Sequence, residues 1–213
     1  MKIALIGGTG FVGSAVLEEL LQRGHVVTAL ARSPAKYATR PKLTVVQADV
    51  LDAAQVAQAV EGVDAVVDAY NPGWKEPEIY SLFLQGTQAI LEGVRRSGVK
   101  RVLVVGGAGS LYVTPGVQGV DTPQFPVEWK QGALAARDAL DIIRKDEHLD
   151  WTFLSPAVML APGPRTGKFR IGADDVLMDG HQPAGISVAD LAVAIADEIE
   201  TPRHLKKRFT VAY

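Results

Sequence analysis

Three glycines near the start of the chain have the spacing that most directly predicts chemistry. Gly7, Gly10 and Gly13 recur every three residues, directly after the apolar run Ile3–Ile6 and before a segment with helical spacing. Glycine lets the backbone turn tightly and approach a diphosphate, and the first N–H groups of a following helix face the anion. Strand, glycine loop and helix together predict a dinucleotide site, with a bare structural turn as the alternative. The predicted cofactor contacts of this loop are Gly7, Thr9, Gly10, Phe11 and Val12.

The ends of the second and third predicted strands supply candidates for the adenosine half of such a ligand. An NAD site usually places a carboxylate after the second strand, but this chain has Arg32 and Ser33 there. A guanidinium suits a 2′-phosphate, so the sequence favours NADP over NAD. A surface arginine at a strand end is the alternative. Asp49 and Val50 follow the third strand and are predicted to meet the adenine, although Asp49 could equally cap the turn into the next helix.

Later strand ends supply candidates for the nicotinamide half and for catalysis. The predicted cofactor contacts there are Ala69, Tyr70, Gly106, Gly107, Ser155 and Pro156, and the predicted catalytic residues are Ser110 and Tyr112. Small residues after the fifth strand would let the nicotinamide lie close to the backbone. Ser110 would donate a hydrogen bond to a substrate carbonyl or to the carboxamide, and Tyr112 would help orient the acceptor. An incidental serine, and a tyrosine at position 70 that only packs, are the alternatives.

The elements that must position these residues alternate between strand and helix along almost the whole chain. Asp52 is predicted to cap a short helix over 52–60, Gly98 to end the helix predicted at 77–96, and Ser187 with Asp190 to open a further helix as a variant of the capping box. Such alternation predicts an α/β fold with a doubly wound, mostly parallel sheet of six or more strands in a three-layer α/β/α arrangement. Ligands of such sheets bind beyond the carboxyl ends of the strands, which is where the candidates lie. Residues 1–213 are predicted to form a single domain, in which the loop-rich segment 162–183 is a lid or small C-terminal lobe that covers the substrate.

Composition excludes several other classes of function. The 213 residues carry a formal net charge of −2 and no cysteine, which argues against a nucleic-acid partner and rules out disulfides and thiolate metal sites. The four histidines show no metal-ligand spacing, so no metal is expected. The chain opens on a buried strand instead of a signal peptide and has no run of membrane-spanning length, so a cytoplasmic protein without a membrane partner is expected. The long helices predicted at 77–96 and 127–145 allow a monomer or a homodimer.

The order of motifs resembles the atypical members of the short-chain dehydrogenase/reductase superfamily over nearly the whole chain. The stretch Gly7–Gly13 is similar to their cofactor loop, Ala48-Asp49-Val50 to their adenine contact, Ser155-Pro156-Ala157 to their late turn, and Ile186–Ala192 to their last helix start. The resemblance implies a Rossmann fold that binds NAD(P). In size and motif order it is nearest to NAD(P)H-flavin reductases, biliverdin-IXβ reductase and NmrA-like proteins, many of which carry the label NAD-dependent epimerase/dehydratase.

One departure from that pattern shapes the predicted function. The superfamily's Tyr-x-x-x-Lys pair is missing where the helix at Val127 begins, and the chain reads Trp129-Lys130 instead. We therefore expect an NAD(P)H-dependent oxidoreductase that passes hydride to an electron-poor acceptor, a flavin such as FMN or riboflavin or a quinone, which needs no strong acid. The aromatic residues that could stack on it are Trp74, Tyr112, Phe125 and Trp129. A non-catalytic NADP-binding regulator is one alternative; an epimerase or dehydratase with Asp121, Glu128 or Tyr112 as base is another.

Overall fold

A computed structural model describes residues 1–213 as one central sheet covered by helices on both faces. The α-helices are α1 Phe11–Gln22, α2 Ala53–Ala59, α3 Ile79–Ser97, α4 Val127–Ile143 and α5 Val188–Glu200. The strands are β1 Lys2–Ile6, β2 Val26–Ala31, β3 Leu43–Gln47, β4 Ala65–Asp68, β5 Arg101–Val105, β6 Tyr112–Thr114, β7 Val117–Gln118, β8 Asp150–Ser155, β9 Met159–Ala161, β10 Arg170–Gly172, β11 Met178–Asp179, β12 Gln182–Pro183, β13 Gly185–Ser187 and β14 Lys207–Ala212. Short 3₁₀ turns span Pro34–Lys36, Ala108–Ser110 and Gly119–Asp121.

The central sheet has eight strands in the order β10-β14-β8-β5-β4-β1-β2-β3. All neighbouring pairs are parallel except β10 and β14, which are antiparallel. The chain therefore winds outward in one direction from β1 to β3 and in the other from β4 to β14. This is the doubly wound sheet that the sequence predicts, and the fold-class prediction is confirmed.

Two apolar clusters hold the three layers together. Alternate strand residues point to opposite faces, so Ile3 and Leu5 pack under α1 and α5, whereas Ala4 and Ile6 pack under α2, α3 and α4. The first cluster has 23 buried residues and the second 19, and together they bury both faces of the inner strands, whereas the outer strands β3 and β10 keep exposed residues. Burying each large aliphatic side chain contributes about 1.5–3 kcal/mol, which fixes the strands that carry the site.

The helix limits follow from local capping. Asp52 accepts hydrogen bonds from the N–H groups of Ala54 and Gln55 and so starts α2, as predicted. Gly98 ends α3 in the left-handed conformation. The predicted start of that helix at Pro77 is two residues early, because the Ile79 N–H still bonds back to the Glu76 carbonyl in a preceding turn.

The capping-box prediction at α5 is half right. The Ser187 hydroxyl accepts from the Asp190 N–H at 3.0 Å, as expected of an N-cap. The Asp190 carboxylate does not return the bond, because it accepts from the Thr166 hydroxyl at 2.6 Å, the Gly167 N–H at 2.7 Å and the Tyr213 hydroxyl at 2.8 Å. Asp190 thus ties the loop-rich segment and the chain end to the start of α5.

The loop-rich segment 162–183 is partly merged with the central sheet. Strand β10 pairs with β14 at the edge of that sheet, whereas β11 and β12 form a small hairpin of their own. Strands β9 and β13 flank the segment and pair with each other in parallel. The role of this segment as a lid stays a prediction.

None of the helices combines the length and the apolar character that crossing a membrane requires.

Candidate cofactor and active site

The site lies where the winding direction of the sheet reverses, between β1 and β4. The Ala69 N–H donates to the Ile6 carbonyl at 3.1 Å, so the loops that leave these two strands start in contact. Gly7 has a φ of +77°, and a Cβ at this position would collide with the Ala69 carbonyl oxygen. Only glycine allows the two loops to approach this closely, and the crevice between them is the usual ligand position in doubly wound sheets.

The glycine loop is closed by short-range backbone bonds. The Gly10 N–H donates to the Gly7 carbonyl at 2.9 Å, and the Ser14 N–H donates to the Gly10 carbonyl at 2.9 Å. A side chain on Gly13 would collide with the Gly7 carbonyl, so this glycine sets the distance between helix and loop. A Cβ on Gly10 would meet only the Gly7 carbonyl oxygen, at 3.2 Å, and nothing else in the protein.

The start of α1 presents unsatisfied donors to that crevice. Its N-cap Gly10 makes no side-chain bond to the helix, and no group of the protein accepts from the N–H groups of Phe11, Val12 and Gly13. Thr9, Gly10 and Phe11 are exposed. Free first-turn amides, together with the positive end of the helix dipole, fit an anionic diphosphate.

The adenosine side carries a free cation. Arg32 is exposed and makes no hydrogen bond or ion pair, whereas Arg40 in the same loop region is paired with Glu18. Ser33 beside it is also exposed. The structure therefore brings a guanidinium and a hydroxyl to the edge beyond β2, where the sequence predicts a phosphate contact.

Asp49 and Val50 have local roles as well. The Asp49 carboxylate accepts from the Leu51 N–H at 3.0 Å, and the Asp49 N–H donates to Gln55 Oε1 at 2.9 Å. The turn-capping interpretation of Asp49 is therefore observed, and its exposed position leaves the adenine contact as a prediction. The Val50 side chain is buried in the core, so only its backbone can face a ligand.

The last residue of β4 has a role that the sequence reasoning missed. Asp68 ends β4 at 4% exposure, and its Oδ1 accepts from the Tyr70 N–H at 2.9 Å. Burial raises the pKa of this carboxyl to about 6, and the hydrogen bond from Tyr70 opposes the rise only in part. An acidic residue at the end of an otherwise apolar strand is the signal that could have revealed it.

Tyr70 packs instead of facing the crevice with its hydroxyl. That hydroxyl donates to the Leu82 carbonyl at 3.3 Å, and the ring lies 6.2 Å from that of Phe83. Gly86 of α3 leaves room for the ring. The packing alternative for Tyr70 is thus observed, and only its backbone and that of the half-buried Ala69 border the site.

The glycines after β5 are required by packing. A Cβ on Gly106 would collide with the Phe153 ring, and one on Gly107 would approach the Ala136 methyl to 3.2 Å. Packing alone is therefore sufficient reason for small residues here, and the expectation that they admit a nicotinamide stays a prediction. Small residues let the loop lie against β8 and α4, and its backbone is half-buried there.

Ser110 does not open into the crevice, contrary to expectation. Its residue exposure is 1%, its hydroxyl oxygen accepts from Arg208 Nη1 at 3.0 Å, and its carbonyl accepts from the same nitrogen at 2.9 Å. The physical reason is that the buried guanidinium of Arg208 needs acceptors, and Ser110 provides two of them. Tyr112 lies in β6 and is half-buried, with its backbone bonded to Asp174 and Val176.

Ser155 and Pro156 form a buried floor after β8. The Ser155 hydroxyl is fully buried and has no hydrogen-bond partner in the protein. A buried polar atom without a partner is rare in folded proteins and often marks a place that water or a ligand completes. Ser155 therefore fits the predicted cofactor contact, although nothing in the fold itself requires a hydroxyl there.

Comparison with known proteins shows the family of the chain. The sequence profile described as NAD(P)H-binding matches residues 7–202. The chain belongs to the NAD(P)H-binding family. Its resemblance to atypical short-chain dehydrogenases is confirmed, and the family match supports a nicotinamide cofactor as the ligand class of the protein.

Three solved structures are similar to this NAD(P)H-binding protein over its full length. One, from Burkholderia pseudomallei and provisionally named an exported protein, is 46% identical with a TM-score of 0.90, and 100% of each chain is covered. One from Bacteroides thetaiotaomicron, provisionally named an epimerase, is 42% identical with a TM-score of 0.93, covering 100% of this chain and 96% of that one. A third, from Streptococcus pneumoniae and provisionally named an NADH-flavin reductase, is 33% identical with a TM-score of 0.87, covering 100% and 99%. These similarities place this NAD(P)H-binding protein in an oxidoreductase- or epimerase-like family.

Exposed aromatic side chains lie at the starts of the two helices that follow β4 and β5. Trp74 precedes α3 and is 58% exposed, and Trp129 in the first turn of α4 is 52% exposed. The two helices are joined here, because Gly132 of α4 would bring a Cβ within 2.7 Å of the Trp74 ring. Phe125 is half-buried, and its ring lies beside Gly109 of the 3₁₀ turn Ala108–Ser110. This NAD(P)H-binding protein therefore has apolar ring surface available beside its crevice.

Proposed function

We propose that this protein is an NADPH-dependent reductase that transfers hydride to a flavin- or quinone-like acceptor, with FMN and riboflavin as the first candidates. The observation that carries the proposal is the combination of free α1 amides and the unpaired Arg32 at a site with no Tyr-x-x-x-Lys pair. The donors suit a phosphorylated dinucleotide, and the absence of a proton-relay pair suits an acceptor that needs no strong acid.

In this scheme the residues of the protein bind the cofactor and orient the acceptor. The amides of Phe11 and Val12 hold the diphosphate, and Arg32 with Ser33 holds the 2′-phosphate. When bound, the nicotinamide cofactor supplies the hydride, and solvent supplies the proton that completes reduction of the acceptor. Trp74 and Trp129 offer their exposed ring faces to a flat acceptor. The name given to the Streptococcus pneumoniae protein supports the acceptor class.

The test is steady-state reduction of FMN, riboflavin and menadione with NADPH and with NADH. We expect turnover with at least one acceptor and a higher kcat/KM for NADPH. Arg32→Ala should lower the NADPH preference about tenfold or more, because a charge-assisted bond to phosphate is worth about 1.5–3 kcal/mol. Arg40→Ala is the matched control, since this neighbouring arginine is already paired with Glu18 and should leave the preference unchanged.

A non-catalytic NADP-binding regulator is the second candidate, and the buried position of Ser110 favours it. With that hydroxyl engaged by Arg208, the serine predicted to orient an acceptor is not free to do so. Tight NADP binding without turnover of any acceptor would select this function over the reductase. An equal or greater preference for NADH would contradict the NADP assignment under either function.

An epimerase or dehydratase of a small substrate has the support of the Bacteroides thetaiotaomicron protein's name. Its candidate bases are weakly placed, because Asp121 is paired with Arg137 at 3.1 Å and Tyr112 is held by its backbone in β6. Glu128 is exposed in the first turn of α4. Under each of these functions we place the protein in the cytoplasm as a monomer or homodimer whose partner is a small molecule.

A further inference from the structure

Arg208 is a buried cation in β14 that reaches the loop after β5. Its side chain is 2% exposed, and it stands opposite Phe153 in the neighbouring strand. Gly106 lies against that same phenylalanine ring, so Arg208 emerges directly beneath the loop Gly106–Ser110. A buried guanidinium must find acceptors for its donors, and the residues that provide them here belong to two other parts of the fold.

Both contacts with Ser110 fix the loop itself. Arg208 Nη1 donates to the Ser110 carbonyl at 2.9 Å and to its hydroxyl at 3.0 Å, so one nitrogen holds the backbone and the side chain of a single residue. Within the loop, the only backbone bond near this point runs from the Leu111 N–H to the Ala108 carbonyl. A segment with glycine at positions 106, 107 and 109 has much conformational freedom to lose, and these contacts restrict it.

The other end of the guanidinium engages the loop-rich segment. Arg208 Nε donates to Asp174 Oδ1 at 2.7 Å, and the Tyr112 N–H donates to the Asp174 carbonyl at 2.9 Å. Arg208 is therefore the shared partner of the β5 loop and the segment predicted to cover the substrate. Arg144 of α4 approaches Asp174 Oδ1 to only 3.8 Å and is half exposed, so it adds charge there without touching the loop.

We propose that Arg208 is a positioning residue for the nicotinamide half of the site, acting through Ser110 to hold the loop Gly106–Ser110 in place. The proposal rests on the proposed dinucleotide function, because the loop matters only if a nicotinamide lies against it. It reassigns Ser110 from a group that contacts substrate to the anchor by which the loop is held. Arg208 itself lies beneath the loop and touches neither cofactor nor acceptor.

The test compares two ligands that differ only in the nicotinamide: NADP⁺ and 2′-phospho-ADP-ribose. Wild-type protein should bind NADP⁺ several-fold more tightly than the fragment, by calorimetry. Arg208→Gln should reduce that ratio toward one while fragment affinity stays within about twofold, because the diphosphate and 2′-phosphate contacts are untouched. Arg208→Lys should recover part of the ratio, since an ammonium can donate to the same acceptors but lacks the fork geometry. Arg144→Gln is the matched control and should behave as wild type.

Two further measurements separate positioning from general stability. In the same variants kcat with the best acceptor should fall about tenfold or more for Arg208→Gln while KM for NADPH changes less, the split expected of a misplaced ring. Ser110→Ala keeps the Arg208–Asp174 pair and removes only one acceptor of Arg208. It therefore replaces Arg208→Gln as the test variant if Arg208→Gln does not fold. It should lower the ligand ratio in the same direction and by less.

The outcomes distinguish this proposal from the function on which it rests. If wild type binds NADP⁺ and reduces an acceptor, but Arg208→Gln and Ser110→Ala keep the wild-type ratio, the positioning role is wrong and the reductase stands. If Arg208→Gln loses as much affinity for 2′-phospho-ADP-ribose as for NADP⁺, the role of Arg208 is merely structural and the positioning role is wrong. A ratio near one in the wild-type protein would also contradict the positioning role. If wild type binds neither ligand, the proposed function fails and this inference fails with it.

Discussion

The amino-terminal ends of the parallel strands, here called the amino edge, and their carboxyl-terminal ends, the carboxyl edge, differ in how their polar groups are paired. At the amino edge, Glu198 of α5 is buried and accepts from Arg101 Nη2 at 3.1 Å, from the His204 N–H at 3.0 Å and from the Arg203 N–H at 3.2 Å. Arg101 in turn donates to the Thr152 hydroxyl at 2.7 Å and to the Asp150 carbonyl at 2.9 Å. In this network Arg101 Nε alone lacks a partner.

At the carboxyl edge, several donors are left without protein partners. They are the first amides of α1, the Arg32 guanidinium and the buried Ser155 hydroxyl. Unpaired donors gathered at one edge do little for folding and suit a ligand, whereas the network opposite ties β5, β8, α5 and the segment before β14 together. We therefore expect the amino-edge network to carry stability and the unpaired donors of the carboxyl edge to carry binding, so substitutions in these two sets should affect one property without the other.

The largest effect should follow from breaking the amino-edge network. Glu198→Ala leaves the Arg101 guanidinium buried without its carboxylate, and such a loss typically destabilises a protein by about 3–5 kcal/mol. We expect that decrease in the free energy of unfolding, measured by urea denaturation. Affinity for NADP⁺, measured under conditions where the variant is folded, should stay within about twofold, because the crevice lies at the other edge.

Glu92→Ala provides the control for this experiment. Glu92 also contacts two arginines, Arg95 and Arg96, but on the exposed face of α3. Exposed ion pairs contribute little to stability, so its unfolding curve should match wild type. A Glu198→Ala protein that unfolds like wild type, or one that loses NADP⁺ affinity, would contradict the separation of the two edges.

Asp68 tests the comparison further, because it lies at the carboxyl edge and its ionised form lowers the stability of the folded protein. Its pKa rises from an ordinary 3.8 to about 6 on folding, so the folded protein holds the proton more tightly than the unfolded chain. The resulting stabilisation is fully present below pH 3.8 and is lost as pH rises through about 6. Asp68→Asn removes this loss, and its unfolding free energy relative to that of wild type should rise by about 2 kcal/mol between about pH 4 and 7.

Asp68→Ala separates the charge from the hydrogen bond. The Asn variant keeps an acceptor for the Tyr70 N–H, whereas alanine leaves that amide without one. Alanine should therefore show the same change with pH at a stability about 1–3 kcal/mol lower throughout. Equal pH dependence in wild type and Asp68→Asn would show that this carboxyl does not titrate as its burial implies.

The features of the fold that depend on neighbouring residues were predictable from the sequence. The glycine spacing after Ile3–Ile6, the caps at Asp52 and Gly98 and the strand–helix alternation all reflect local geometry, and each predicts what the structure shows. The unpaired Arg32 was likewise predictable as the residue that replaces a carboxylate after β2.

The contacts that the sequence did not reveal join residues far apart in the chain. Arg208 and Ser110 are separated by 98 positions, and nothing near either one indicates that a cation must be paired there. The small residues at 106 and 107 predict an open loop but not the Phe153 ring that occupies the space. Burial inverts the expected role of Ser110, and burial is a property of the assembled sheet.

The smallest effect on folding, and the clearest on binding, should come from Gly10. A Cβ there would touch only the Gly7 carbonyl, at 3.2 Å, so Gly10→Ala should change the free energy of unfolding by less than about 1 kcal/mol. The methyl group would nevertheless project to the side from which a diphosphate reaches the α1 amides. We expect NADP⁺ affinity to fall about thirtyfold, equivalent to about 2 kcal/mol, by calorimetry.

Gly13→Ala completes the comparison because its methyl group would collide with the backbone of Gly7 inside the protein. It should lower both affinity and stability, the latter by about 1–3 kcal/mol, since helix and loop must move apart. The two glycines stand three residues apart in one motif, yet Gly10 is exposed and Gly13 is buried against the loop. A Gly10→Ala protein that lost stability but kept NADP⁺ would place the diphosphate elsewhere and remove the basis for treating the carboxyl edge as the binding edge.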